Sequence, residues 1–125
     1  MHIKNTTSIP KKPLVAAHGE SALYQIFWQE DDSGKIFEAK KPEDMKSFEH
    51  FARITLKPGD TNNLHTHSNA EQVYFIIQGE GTVQVGDESE EVSAGDVIFL
   101  PKGVKHGFFN TGEKLVIILL VGVKA

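Results

Sequence analysis

The stretch "NNLHTHSNAEQVYFIIQGEG", residues 62–81, carries the strongest signal for both fold and chemistry in this chain. His65 and His67 stand one residue apart, and Glu71 and Gln72 follow a few positions later. In a strand, residues i and i+2 point to the same face, so the two histidine side chains are expected to project together. Neutral imidazole nitrogens bind zinc, copper, iron, nickel and, with oxygen donors, manganese. The spacing therefore indicates a metal site that needs further ligands from elsewhere.

The natural third ligand is His106. It lies in "PKGVKHGFFN", residues 101–110, directly after a Pro-Gly turn that would start a strand. Taken singly, each histidine has a plainer interpretation: an exposed loop pair for His65 and His67, and a backbone-bonded strand residue for His106. The three together favour a metal site.

The composition of the 125 residues limits the possible functions. No cysteine occurs, which excludes disulfides, iron–sulfur clusters, thiolate zinc sites and cysteine nucleophiles. The formal net charge of −4 gives no reason to expect nucleic acid or a membrane as a partner. The first residues contain no apolar signal segment, so we expect an unprocessed cytoplasmic protein.

The spacing of turn signals predicts the fold class. Turn-forming residues are frequent and the runs between them are short, which is typical of an all-β domain. In "FEHFARITL", residues 48–56, apolar groups alternate as in a half-buried strand. Closure is how such domains avoid open edges, so we expect a closed or double-sheet barrel. Residues 23–29 and 115–121 are apolar on both faces, and we expect these strands to support a homodimer.

Two segments with the correct order and spacing resemble the conserved motifs of the cupins. Residues 59–79, "GDTNNLHTHSNAEQVYFIIQG", look like the first motif: G, five residues, HxH, three or four residues, E, six residues, G. Residues 95–110, "GDVIFLPKGVKHGFFN", match the second motif completely. The resemblance is to small single-domain bacterial cupins and implies a double-stranded β-helix, a jelly-roll-like barrel. We expect one domain over 1–125, with an N-terminal arm and strand in 1–46 and the conserved barrel in 47–123.

The first motif departs from the family pattern at its carboxylate position. Counting back six residues from Gly79 gives Gln72, whereas Glu71 fits the three-residue gap after His67 but lies one position too far from the glycine. Adjacent strand residues face opposite sides, so only one of the pair is expected to reach the metal. The glycine turn fixes the strand register, which favours Gln72, whose amide oxygen is a neutral donor. Glu71 stays open as the alternative.

The resemblance thus implies one divalent ion of iron, manganese, nickel, copper or zinc, held by His65, His67, Gln72 and His106. Neutral ligands leave the ion its full charge, which favours anionic substrates such as enolates and carboxylates. Tyr74, two residues after Gln72, is a candidate catalytic residue because its hydroxyl can orient a substrate or act as an acid. Core packing alone would also account for it.

Cupins include dioxygenases, isomerases, decarboxylases and non-enzymatic binding domains. We expect a metalloenzyme acting on a small oxygenated organic molecule through dioxygenase-like or enolate chemistry. Two alternatives remain open: a small-molecule-binding or sensing domain without turnover, and a sugar isomerase or epimerase. The isomerase would need several cations facing the pocket, and the sequence offers only Arg53 and Lys57, whose faces are uncertain. No pattern assigns a role to His2 or His18.

Overall fold

The computed structural model describes residue 3, residues 5–29 and residues 47–125, so His2 lies outside the described part. Within that part, the regular elements are two 3₁₀ turns, Thr6–Ser8 and Ala16–His18, and ten strands. The strands are β1 (Lys12–Pro13), β2 (Leu23–Gln29), β3 (Phe48–Leu56), β4 (Thr61–His65), β5 (Ala70–Gln78), β6 (Glu80–Val85), β7 (Glu88–Ser93), β8 (Val97–Leu100), β9 (His106–Phe109) and β10 (Val116–Lys124). No helix in the described ranges is long and apolar enough to cross a membrane.

The strands form two antiparallel sheets. One sheet has six strands in the order β1-β2-β3-β10-β5-β8, and the other has four in the order β4-β9-β6-β7. Neighbours in the sheets are mostly distant in sequence, because the chain passes back and forth between the two sheets. This arrangement confirms the all-β, jelly-roll-like barrel that the sequence predicts.

The core lies between the sheets and follows from strict alternation along the strands. In β10, Val116, Ile118 and Leu120 are buried, and the residues between them are only half-buried. They pack with alternate residues of β3 and β5, the two strands that flank β10. A continuous apolar layer therefore covers the inner face of the larger sheet.

Turns at glycine set the register of β5 and of the following hairpin. Gly79 has φ +85°, and a Cβ placed there would lie 2.4 Å from the backbone oxygen of Leu115. Only glycine fits this position, so the end of β5 is fixed against β10. Further on, Val85 pairs with Glu88 across a two-residue Gly86-Asp87 turn, which closes the hairpin of β6 and β7.

The N-terminal segment lies across the larger sheet. The side-chain amide of Gln25 donates to the backbone oxygens of Thr6 (3.0 Å) and Ile9 (2.8 Å). Arg53 in turn donates from Nε to Oε1 of Gln25 at 2.8 Å. Gln25 is paired with Arg53 across β2 and β3, on the face opposite the buried Tyr24 and Ile54. The arm is therefore attached to the outer face of the barrel.

Candidate metal centre

Three histidines of the two motifs meet inside the barrel; they are called the barrel histidines below: His65, His67 and His106. His65 and His106 are paired across β4 and β9, and their ring centroids are 4.5 Å apart. The ring of His67 lies 4.9 Å from that of His65 and 5.4 Å from that of His106. Residues separated by about forty positions in sequence thus form one cluster.

The prediction that His67 lies in the same strand as His65 is wrong. β4 ends at His65, so His67 lies in the connection to β5 rather than in a strand. Its position is fixed by a backbone hydrogen bond, in which the amide of Gly103 donates to the oxygen of His67 at 2.9 Å. Gly103 belongs to the Pro-Gly turn just before His106, so this bond brings the two motifs together.

Hydrogen bonds fix the tautomers of two barrel histidines. Nδ1 of His65 lies 2.5 Å from the backbone oxygen of Asn63, and Nδ1 of His106 lies 3.4 Å from that of Val104. A carbonyl oxygen only accepts, so Nδ1 carries the proton in both rings and Nε2 keeps its lone pair. Nε2 of His106 is buried and has no hydrogen-bond partner among the described residues.

The barrel histidines are neutral at physiological pH. Burial, which disfavours the charged form, lowers the pKa of His65, His67 and His106 to about 4. Mutual repulsion between the rings lowers the pKa values further, and the backbone bonds of His65 and His106 oppose the shift. Neutral imidazole is the form that binds metal, so the cluster needs no deprotonation at neutral pH.

The structure places Gln72 inside the barrel and Glu71 outside. Gln72 is 3% exposed, on the same face of β5 as the buried Tyr74 and Ile76, whereas Glu71 is exposed. This orientation is the one that the glycine register favours. Gln72 therefore belongs to the barrel interior, and Glu71 is a surface charge.

Tyr74 is buried and engaged by a neighbour. Its hydroxyl accepts a hydrogen bond from Nδ2 of Asn62 at 2.9 Å, and its ring lies 6.1 Å from that of His106. Burial raises the pKa of Tyr74 well above its usual value, which the bond from Asn62 opposes. The phenol therefore keeps its proton throughout the physiological range.

A fourth histidine, His18, was missed by the sequence analysis. It ends the second 3₁₀ turn, and its ring centroid lies 3.9 Å from that of His65 and 5.8 Å from that of His67. One ring nitrogen from each of these three residues lies within 4.8 Å of the others. The contact spans more than forty residues and has no local periodicity, so no sequence pattern could have indicated it.

These donors fit a divalent metal ion. Imidazoles with Nδ1 bonded outward and Nε2 unprotonated are arranged as metal-binding histidines are. A buried nitrogen without a partner is costly unless something binds it, and Nε2 of His106 is such an atom. His18, His65 and His67 thus form a triad positioned for a metal site, and the ring of His106 lies beside that of His65.

Comparison with known proteins identifies the family. The cupin domain model matches residues 52–122, so the chain belongs to the cupin family. It is 37% identical over 75 residues to the oxalate-binding protein of Thermotoga maritima, covering 57% of this chain and 62% of that protein. The chain spans less than two thirds of the length of the first curated relatives that it matches.

Solved structures share the fold. A protein of Thermotoga maritima described as a predicted oxalate decarboxylase aligns with a TM-score of 0.80 at 23% identity, over 99% of this chain and 100% of that one. A recombinant oxalate oxidase in complex with glycolate aligns with a TM-score of 0.57 at 25% identity, over 60% of this chain and 41% of the oxidase. The first similarity supports the barrel architecture alone.

Proposed function

We propose that this chain is a metal-dependent cupin that binds a small oxygenated carboxylate at the barrel histidines. The observation that carries the proposal is the buried, unpartnered Nε2 of His106 beside two other neutral imidazoles. A buried polar group without a hydrogen-bond partner destabilises the folded protein by about 1–3 kcal/mol, and a bound metal ion would remove this cost.

His65, His67, His106 and Gln72 would hold the ion. All four are neutral donors, and the side chain of Glu71, the alternative ligand in the first motif, is exposed. A bound divalent ion supplies a Lewis-acid centre that keeps its full charge. These four ligands therefore contribute no negative charge, and an anionic ligand would complete the site.

The ligand class follows from this charge and is supported by the relatives. A carboxylate with a second oxygen on the adjacent carbon offers two negatively polarised atoms in a small volume. The related proteins named for oxalate, and the oxidase bound to glycolate, have ligands of this kind. We extend that ligand class to this chain as part of the proposal.

The residues around the cluster limit the acid–base chemistry. The Tyr74 hydroxyl is held by Asn62 and keeps its proton, so it can orient a ligand or donate a hydrogen bond but does not act as a base. If turnover occurs, we expect dioxygenase-like or enolate chemistry with Tyr74 as the donor. That the Tyr74 hydroxyl does not act as a base supports a second candidate, a carboxylate-binding or sensing domain without turnover.

The sugar isomerase alternative gains no support from the structure. Arg53 lies on the outer face of β3 and donates to Gln25, away from the barrel histidines. Lys57 is exposed beyond the end of that strand. Neither cation faces the cluster, so these two residues would not supply charge partners for a phosphorylated sugar there.

The test begins with elemental analysis of untagged protein, with His65→Ala as the control. Binding of oxalate, glycolate and acetate to the metal-loaded protein is then measured by titration calorimetry. Tight binding of oxalate or glycolate that requires both metal and His65 supports the proposal. Absence of metal from the folded wild-type protein, even after incubation with each candidate ion, would refute it. Oxygen consumption and carbon dioxide release then separate turnover from binding alone.

We also propose a homodimer, formed through the outer face of β5 and β8 rather than through residues 23–29 and 115–121, where the sequence led us to expect it. Phe75, Ile77, Val97 and Phe99 are 42–61% exposed there, and Val97 is paired with Phe75 across the two strands. These side chains leave roughly 400 Å² of contiguous apolar surface, enough for the centre of a standard interface that buries about 800 Å² per partner. β8 is an edge strand, so a second copy would cover both the patch and the edge. Sedimentation of Phe99→Glu should show a monomer, with Glu88→Lys on the other sheet as the control; a monomeric wild type would contradict the dimer.

A further inference from the structure

We propose that His18 is an additional ligand of the metal, delivered by the N-terminal arm. The inference rests on the metal site of the proposed function and adds a residue that lies outside both sequence motifs and outside the matched family region, residues 52–122. Its consequence is that one ion joins the arm to the barrel.

The distances are those of a ligand set before the ion is bound. One nitrogen from each of His18, His65 and His67 lies within 4.8 Å of the others. Neighbouring nitrogens at about 2.1 Å from a tetrahedral ion are about 3.4 Å apart. Side-chain rotations that shorten the separations by no more than about 1.4 Å therefore bring all three into the coordination sphere.

Hydrogen bonds leave the correct nitrogen of His18 free. Nδ2 of Asn62 donates to the Tyr74 hydroxyl, so Oδ1 is the atom that Asn62 presents to His18. Nδ1 of His18 lies 2.9 Å from this oxygen and must donate to it. Nε2 then carries the lone pair, as in His65 and His106. Asn62 is itself buried, so it holds the His18 ring in place.

The arm is shaped to hold His18 at this point. Ser21 Oγ accepts from the Thr61 amide at 2.8 Å and donates to the Thr61 oxygen at 3.1 Å, which attaches the segment to the start of β4. Gly19 has φ +83°, and a Cβ there would lie 2.9 Å from the side chain of Asn63. The left-handed backbone of this turn favours glycine directly after His18. The position of the ring is thus built into the fold rather than a result of chance contact.

The plainer alternative is that His18 only packs against His65. Under that alternative, metal affinity depends on the presence of a flat ring at position 18 and not on its ring nitrogen. His18→Phe separates the two, because phenylalanine keeps a flat ring against His65 and removes the ligand atom. His18→Ala removes both. Glu20→Gln, an exposed change in the same segment, is the matched control.

Two readouts independent of activity test the inference. Co²⁺ affinity is measured by competition with a chelator, and amide hydrogen exchange of residues 14–22 is followed with and without Co²⁺. We expect His18→Ala and His18→Phe to weaken Co²⁺ binding by about 100-fold or more, because loss of a direct ligand costs at least as much as loss of a residue that only supports one. Glu20→Gln should change it less than twofold. Co²⁺ should slow exchange in the arm of the wild-type protein and of Glu20→Gln, and in neither His18 variant.

The outcomes separate this inference from the proposed function. Wild-type protein that binds no metal refutes both. Metal binding that survives His18→Phe within twofold overturns only the role of His18. Weaker binding in the variants without metal-dependent protection of the wild-type arm also overturns it, because His18 would then act through His65. Circular dichroism of the metal-free variants verifies the fold, and His18→Phe serves if His18→Ala is misfolded.

Discussion

Replacing His106 with leucine should make the metal-free protein more stable and the metal-treated protein less stable than wild type. In the metal-free wild type, the buried Nε2 of His106 has no partner among the described residues. An unsatisfied buried polar group costs about 1–3 kcal/mol. The bond from Nδ1 to the Val104 oxygen is long, at 3.4 Å, and its loss removes about 0.5 kcal/mol, the low end for a hydrogen bond.

The difference favours leucine by about 1 kcal/mol without metal. For a domain of this size that corresponds to a rise of roughly 4 °C in the melting temperature. With metal at a hundred times its dissociation constant, the wild type gains about 2.7 kcal/mol, and His106→Leu should gain little or nothing. The order of stability therefore reverses between the two conditions.

Thermal and urea unfolding followed by circular dichroism, with chelator and then with metal, measures both contributions. Phe108→Leu is the matched control, because Phe108 is fully buried two residues further along β9 and holds no ligand atom. It should lose about 1 kcal/mol in both conditions. If His106→Leu is less stable than wild type by more than about 1 kcal/mol in chelator, the buried nitrogen does not destabilise the metal-free protein. If His106→Leu keeps the metal-induced gain, His106 has no role in metal binding. Either result refutes the reasoning.

Two further predictions concern the same site. Gln72→Ala should lower metal occupancy, measured by elemental analysis, while Glu71→Ala leaves it unchanged. The reason is that Gln72, and not Glu71, faces the barrel interior. The reverse result would mean that the strand register differs in solution. The free energy of unfolding of the metal-free protein should fall as the pH is lowered from about 6.5 to about 4. In this range the histidines of the unfolded chain take up protons, whereas the buried barrel histidines of the folded chain, with pKa values lowered to about 4, do not. A tenfold difference in proton affinity between the folded and unfolded chain corresponds to about 1.4 kcal/mol for one histidine, and solvent screening reduces that contribution. A pH titration by urea unfolding measures the slope, which should be shallower in His106→Leu; an equal slope would count against the barrel histidines as its source.

The parts of the site that the sequence predicted are those set by local rules. Alternation along β5 and the glycine turn at Gly79 were enough to place Gln72 inside and Glu71 outside. The motif spacing predicted that His65 and His106 would meet. The end of β4 was misjudged, because His67 is positioned by the Gly103 amide, a tertiary bond that no local pattern encodes.

The position of His18 next to the barrel histidines could not be predicted from the sequence, for a related reason. Its place depends on a side-chain bond to Asn62 and on the Ser21–Thr61 pair, contacts that span about forty residues. Such contacts produce no periodic pattern in the sequence of the arm. A single histidine followed by glycine after the short apolar run of residues 14–17 is indistinguishable from a surface residue until the fold brings it to the barrel.

The two kinds of ligand differ in how they are supported, and this difference has a thermodynamic consequence. His65 and His106 each donate from Nδ1 to the backbone oxygen two residues earlier, so their own strands orient them. His18 is oriented by Asn62, and only when the arm is docked on the barrel. If the arm increases metal affinity by some factor through His18, the metal must increase the docking of the arm by the same factor, because coupling between two binding equilibria is reciprocal. A cupin barrel with preformed ligands thereby gains a metal-dependent attachment for its N-terminal segment.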